Sequence, residues 1–196
     1  MAESNNGLRA WLHAANPFAT AETQAEALRA GRIGAITMAL MAVQAAAGIL
    51  LLRAMFSGPG LDAMRHTFQA RYAAAGLDAD SSKAMAESVT TMIPTVMVDV
   101  FGGIAVILAA CAIFTWFKPN RPIPLIVLLI TVAGLALRLL QLVLQHGTPA
   151  IPQPAWMTAY SLVTYLVVIP LLIAGFRGAG RLRELKLEAE LAAADI

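Results

Sequence analysis

Four apolar runs, each about as long as a bilayer's hydrocarbon core is thick, constrain this chain most. They cover residues 33–52, 94–117, 123–144 and 156–176. A helix needs about 20 apolar residues to cross that core, and an open irregular backbone cannot satisfy its hydrogen bonds there. Only 13% of the residues are charged, against about 25% in soluble domains. The sequence therefore predicts an all-α fold, a polytopic four-helix transmembrane bundle forming one domain over residues 1–196.

Three groups of basic residues flank the apolar runs and predict the orientation of the chain. They are Arg29 and Arg32, then Lys118 and Arg121, then Arg177, Arg181, Arg183 and Lys186. Four crossings leave all three groups on one side, which should be cytoplasmic because positive residues are retained there. Both termini and an amphipathic tail, residues 177–196, are then predicted to be cytoplasmic. The tail is either a short partner-binding helix or, as we prefer, a solvated extension. The basic residues do not gather into a nucleic-acid-binding face, so we expect the lipid bilayer as a partner and no nucleic acid.

The loop at residues 57–93 is predicted to form a short helical cap on the extracytoplasmic side. It carries apolar residues at helical spacing, namely Leu61, Met64, Phe68 and Tyr72. Gly76 is a typical helix stop, and Asp80 or Ser81 is a candidate cap for a second short helix that runs through Val89. On the other side of the membrane, Thr23 and Glu26 have the spacing of a capping box just before the first run.

Charged residues within membrane runs are the default functional candidates. Asp99 and Arg138 each lie about 20 residues from Pro119, hence about 30 Å of helix from the turn between the second and third runs. This places opposite charges at one depth, near the outer leaflet, and predicts that they pair. The pair belongs to a predicted polar network made of Asp99, Arg138, Gln141, Gln145 and Gln44. An ion pair that fixes helix register and a proton or substrate site in a polar cavity are both open interpretations.

Several residue types needed for catalysis or cofactor binding are missing from the runs. His13, His66 and His146 all lie outside them, so in-membrane haem ligation is not expected. Cys111 is the only cysteine, which excludes chemistry that needs cysteine pairs. The chain has neither a phosphate-binding P-loop motif nor a zinc-hydrolase motif. We therefore expect no cofactor, no metal and no enzymatic activity.

Two short segments beside the first and fourth runs carry a family resemblance. One is Asn16-Pro17-Phe18-x-Thr20-x-Glu22, followed by Gly31, and the other is Phe176-Arg177-Gly178. Together they resemble a loose group of small, uncharacterised bacterial four-helix membrane proteins. The resemblance implies a location in the bacterial inner membrane and supplies no activity.

Three functions follow as hypotheses. The preferred one is a non-enzymatic accessory or interaction subunit of a membrane complex, bound to other membrane subunits or to copies of itself, because small-residue helix faces favour lateral packing. The alternative is a small oligomeric transporter or channel with Asp99 and Arg138 lining its pathway. A third hypothesis is a membrane enzyme acting on lipids with His66 and acidic residues of the 57–93 loop.

Overall fold

The chain is helical, with no strand, over the residues that the computed structural model describes, which are 2–55, 57–144 and 155–194. Its helices are α1 (Ala2–Ala15), α2 (Gln24–Met55), α3 (Pro59–Ala74), α4 (Ala79–Phe117), α5 (Pro122–Leu144) and α6 (Ala155–Ala194). Four of them, α2, α4, α5 and α6, are long and apolar enough to cross a membrane. These observations confirm the all-α prediction and the four membrane-length helices.

The N-terminus of α2 is closed by the predicted capping box. The Glu26 amide donates a hydrogen bond to the Thr23 hydroxyl, at 3.2 Å. In return, the Glu26 carboxylate accepts hydrogen bonds from the amides of Glu22, at 2.9 Å, and Thr23, at 3.4 Å. The reciprocal bonds satisfy amide groups that have no partner within the helix.

The first predicted cap helix is present as α3. Its apolar residues Phe68 and Tyr72 stack with ring centroids 6.5 Å apart. Gly76 follows the helix with a φ of 92°, a left-handed conformation that favours glycine and ends a helix. The predicted stop at Gly76 is confirmed.

The second predicted cap helix is not a separate element, and this expectation was wrong. Helix α4 begins at Ala79 and passes through Pro94 without ending, for a length of 39 residues. Its cap is Asp78 rather than Asp80 or Ser81, because the Asp78 carboxylate accepts bonds from the Ser81 amide, at 2.9 Å, and the Ser81 hydroxyl, at 2.8 Å. These bonds favour the charged carboxylate and hold the pKa of Asp78 below its ordinary value.

The predicted cytoplasmic tail is likewise continuous with a membrane-length helix. Helix α6 runs for 40 residues, through Pro170 and on to Ala194. Ala179 and Leu182, which the sequence assigned to a solvated tail, are buried. The preferred interpretation of residues 177–196 as a solvated extension was therefore wrong for the first turns of the tail. At 1.5 Å per residue, α4 and α6 are each about 60 Å long, twice the hydrocarbon thickness of about 30 Å.

The chain divides into two compact units, one made of Met1–Ala39 with Ala110–Ile196, the other of Leu40–Ala109. In the first unit α6 packs along α5 and also contacts α1. Ala14 of α1, Ala30 and Ile33 of α2, and Ala174 of α6 form a buried cluster, and Trp11 packs against it. The sequence analysis did not predict α1, and this cluster is what anchors it.

Helices α2 and α6 of the first unit cross at two glycine pairs. A Cβ built on Gly175 would lie 2.5 Å from the Gly34 Cα and 2.7 Å from the Gly34 nitrogen. One turn further along, a Cβ on Gly178 would lie 2.6 Å from the Gly31 nitrogen. Real Cβ atoms do not come so close to backbone, so this crossing requires glycine on α6. Gly31 also brings α2 beside the α4–α5 turn, since its own Cβ would lie 3.0 Å from the Pro119 Cβ.

Candidate functional site

Helix α5 faces α6 at two positions, Gly134 and Arg138. The Arg138 guanidinium donates a hydrogen bond to the Thr158 hydroxyl, at 3.2 Å. A Cβ on Gly134 would lie 3.1 Å from the Tyr165 hydroxyl oxygen, so glycine makes room for the tyrosine. The sequence analysis paired Arg138 with Asp99 of α4 and named no neighbour on α6. It missed α6 because helix spacing gives a face but not the neighbour that covers it.

Asp99 is exposed on α4 and lies in the second unit, whereas Arg138 lies in the first. Their predicted pairing therefore stays a prediction. Within Leu40–Ala109, no described residue hydrogen-bonds to or forms an ion pair with the Asp99 carboxylate. An Asp in a membrane-length helix normally has a polar partner or water. No described residue of the second unit is such a partner for Asp99, so its carboxylate lies on a helix face that this unit leaves uncovered.

The remaining members of the predicted polar network are Gln44, Gln141 and Gln145. Gln44 is half-buried on α2 and Gln141 is exposed on α5. Gln145 lies outside the described residues. The network thus stays a prediction apart from the local contact between Arg138 and Thr158.

The face of α4 that carries Asp99 is a regular exposed stripe, which we call the α4 face. Its members recur every three or four residues, as positions on one side of a helix do, and are Met92, Val96, Asp99, Gly103 and Val106. All five are exposed, Val106 to 69%. A Cβ on Gly103 would meet nothing within 4 Å, so the stripe has a shallow notch four residues from its carboxylate.

A second candidate site is a cavity of about 240 Å³ in the first unit, which we call the arginine cavity. It is lined by α1, the segment after it, the start of α2, the α4–α5 turn and α6. Its lining includes the cationic side chains of Arg121, Arg177 and Arg181. It also includes the carboxylates of Glu26 and Glu184. The two segments that carry the family resemblance, around Pro17 and around Arg177, thus line one cavity although about 160 residues separate them.

Most charges of the arginine cavity are already engaged. The Glu184 carboxylate lies 3.1 Å from Arg121 and 3.4 Å from Arg181. Arg181 also reaches Glu188, at 3.1 Å, and donates to the Ala21 carbonyl, at 3.4 Å. The Arg121 guanidinium lies over the Phe176 ring, 5.7 Å from its centroid. These contacts fix the positions of two of the three arginines.

Arg177 differs from the other two arginines in its partner. Its guanidinium donates to the Pro17 carbonyl, which is a neutral acceptor. No described carboxylate lies within ion-pair distance of it. The sequence analysis counted Arg121, Arg177 and Arg181 only as markers of orientation. Their spacing along the chain does not reveal that α1 closes a cavity over them.

A smaller cleft of about 150 Å³ lies between α3 and α4 in the second unit. Its lining includes His66 and Asp62 of α3, and Lys83 and Glu87 of α4. An acid–base pair requires the imidazole to be oriented by a hydrogen bond. In the part of the chain that the structure describes, His66 makes none. The cleft therefore assembles the residue types of the lipid-enzyme hypothesis without their catalytic geometry.

The described residues contain no group of three or more His, Cys, Asp or Glu side chains that could hold a metal ion. Cys111 is a free, half-buried thiol on α4. Comparisons of the chain with protein-family models, with curated proteins and with solved structures find no match.

Proposed function

We propose that the chain is a non-enzymatic, multi-pass subunit of the bacterial inner membrane, folded as a four-helix transmembrane bundle, that binds another membrane protein through the α4 face. The partner is a transmembrane helix bearing a lysine or arginine at the depth of Asp99. The observation that carries the proposal is an ionisable carboxylate on an otherwise apolar helix face that the second unit leaves uncovered.

The uneven burial of the membrane-length helices supports a partner at α4. Only 6% of the most apolar window of α4 is buried, against 33% for α2. Apolar exposure alone would suit lipid, since lipid chains are as apolar as leucine. The Asp99 carboxylate is not suited to lipid. A charge within the hydrocarbon core costs about 2.5–3.5 kcal/mol at the centre on insertion scales and less toward the interface.

The charge also selects the kind of partner. Asp99 lies about 18 residues from Phe117, which is roughly 27 Å of helix and puts it in the outer part of a hydrocarbon core about 30 Å thick. A symmetric pair of α4 faces would oppose Asp99 to Asp99, and like charges at close range repel. A basic residue on a different helix neutralises the carboxylate, and the notch at Gly103 admits close approach of that helix.

Site-specific photocrosslinking in cell membranes tests the proposal. We expect a benzophenone amino acid in place of Val106 on the α4 face to form a protein adduct. Leu166 of α6, exposed to 71%, is the matched control position and should give lipid adducts only. The adduct peptide should come from a membrane helix with a lysine or arginine. Asp99→Leu should reduce the adduct yield at least tenfold, which corresponds to about 1.4 kcal/mol.

Three outcomes would contradict this proposal. An adduct of twice the chain mass would show that a second copy covers the face. Lipid adducts alone at Val106 would show that no protein does. An unchanged adduct in Asp99→Leu, combined with loss of ion or solute flux in vesicles, would favour the alternative of a small oligomeric transporter or channel.

The proposed orientation has both termini in the cytoplasm. It is supported by the meeting of all three basic groups at one end of the first unit, where Gly31 lies beside Pro119 and Arg121 binds Glu184. In a Cys111→Ala background, we expect Ala84→Cys to react with an impermeant maleimide added to intact spheroplasts. Ala189→Cys should react only after lysis. The reverse pattern would show that the orientation is inverted.

A further inference from the structure

The arginine cavity has a cationic group that the proposed partner interaction does not use. Its carboxylates are committed, since Glu26 caps α2 and Glu184 binds Arg121 and Arg181. Arg177 retains its charge and, with one of five N–H donors on the Pro17 carbonyl, most of its hydrogen-bonding capacity. A cavity lined by two guanidinium groups held by carboxylates and a third that has none is suited to an anion.

We propose that the arginine cavity binds a phosphate group. Guanidinium groups bind phosphate oxygens through paired, charge-assisted hydrogen bonds, and arginine is preferred for this purpose. The volume of about 240 Å³ lies below the roughly 300–1,000 Å³ typical of sites for larger organic ligands. The cavity therefore fits a phosphate with a small polar substituent rather than a nucleotide cofactor.

The surroundings favour a phospholipid headgroup as the source of that phosphate. Leu8 and Leu12 are more than 60% exposed and lie on the side of α1 opposite the face that lines the cavity. Phe18, next to Pro17, is 84% exposed. A short helix with one exposed apolar face lies in the membrane interface. This position of α1 would hold the cavity at the level of the lipid headgroups. Basic pockets at the cytoplasmic ends of membrane helices recognise anionic headgroups in this way.

The test uses the full-length protein in a mild non-ionic detergent and measures bound lipid by native mass spectrometry. Phosphatidylglycerol is the anionic probe and phosphatidylcholine the zwitterionic one, and inorganic phosphate is added separately as competitor. We expect phosphatidylglycerol to bind at least tenfold more tightly than phosphatidylcholine. Arg177→Gln should weaken phosphatidylglycerol binding about tenfold. Arg183→Gln, the same charge change at an exposed site of α6 outside the cavity, should alter it less than twofold.

A second variant separates loss of the site from loss of folding. Ala19 lines the cavity, and Ala19→Leu fills it while keeping every charge, so binding should fall with the thermal midpoint retained. Displacement of the lipid by millimolar phosphate supports a phosphate site, and binding of inorganic phosphate alone identifies a soluble phosphate as its source. Equal weakening by Arg177→Gln and Arg183→Gln, or full binding by Ala19→Leu, would overturn the proposal. None of these results depends on the α4 face.

Discussion

Gly175→Ala is expected to destabilise the first unit by about 2 kcal/mol or more, whereas Gly103→Ala should leave stability unchanged or raise it. Alanine favours a helix over glycine by up to about 1 kcal/mol, so both changes raise the intrinsic stability of their helix by the same amount. At Gly175 the added methyl meets the Gly34 backbone, at 2.5 Å from its Cα. Backbone cannot rotate out of the way, and overpacking costs typically about 1–3 kcal/mol or more. At Gly103 the methyl meets nothing within 4 Å.

The opposite signs make this pair of variants decisive. Thermal unfolding of each purified protein in the same detergent, followed by circular dichroism at 222 nm, gives the two midpoints. Comparable gains in both variants would show that α2 and α6 do not cross at Gly34 and Gly175. Comparable losses would show that alanine perturbs these helices for reasons unrelated to the crossing.

Leu172→Ala is expected to cost about 1–3 kcal/mol, and Leu166→Ala close to nothing. Both leucines lie on α6, but Leu172 is fully buried in the first unit and Leu166 is 71% exposed. In soluble cores such a truncation costs about 2–5 kcal/mol, part of which is transfer of the side chain from water. That part is small in a membrane, where the separated helix still lies in lipid. What remains is the unfilled cavity and its lost van der Waals contacts.

The same unfolding measurement tests this second pair. A smaller loss in Leu172→Ala than in Leu166→Ala would mean that the buried face of α6 has been assigned to the wrong side. A loss well above 3 kcal/mol for Leu172→Ala would show that position 172 meets water when the helices separate, because the transfer contribution would then return.

Local patterns in the sequence were sufficient for much of the secondary structure. The four apolar runs predicted α2, α4, α5 and α6, and the spacing of Thr23 with Glu26 predicted the cap of α2. The stop after α3 followed from Gly76. Each of these features depends on residues within one or two helical turns of one another, and the physical cause is therefore visible in a short window.

The errors arose where helices continue across a change in polarity. The second apolar run was predicted to begin at Pro94, yet α4 begins at Ala79 and runs through this proline. Helix α6 likewise extends past Arg177, because its next turns pack Ala179 and Leu182 in the first unit. Hydropathy marks where a helix would leave lipid, and it contains no signal for where the helix itself ends.

The arginine cavity was beyond single-sequence reasoning for a different reason. It requires Arg177 to reach the Pro17 carbonyl, a contact across most of the chain that no periodicity encodes. The nearest signal was the family resemblance, whose two segments around Pro17 and Arg177 both line the cavity. Even there, the sequence did not predict α1, which closes the cavity by packing Trp11 and Ala14 on the buried cluster.

The crossing of α2 and α6 sets an order of events during synthesis. Gly34 precedes Gly175 by about 140 residues, and at a translation rate of about 5–20 residues per second the interval between them is on the order of ten seconds. Throughout that interval α2 is complete, but the surface of α6 that closes its glycine groove does not yet exist. The nascent helix must therefore wait in the bilayer or at the insertion machinery with its groove filled by lipid or by another protein, and α6 must displace that occupant when it arrives.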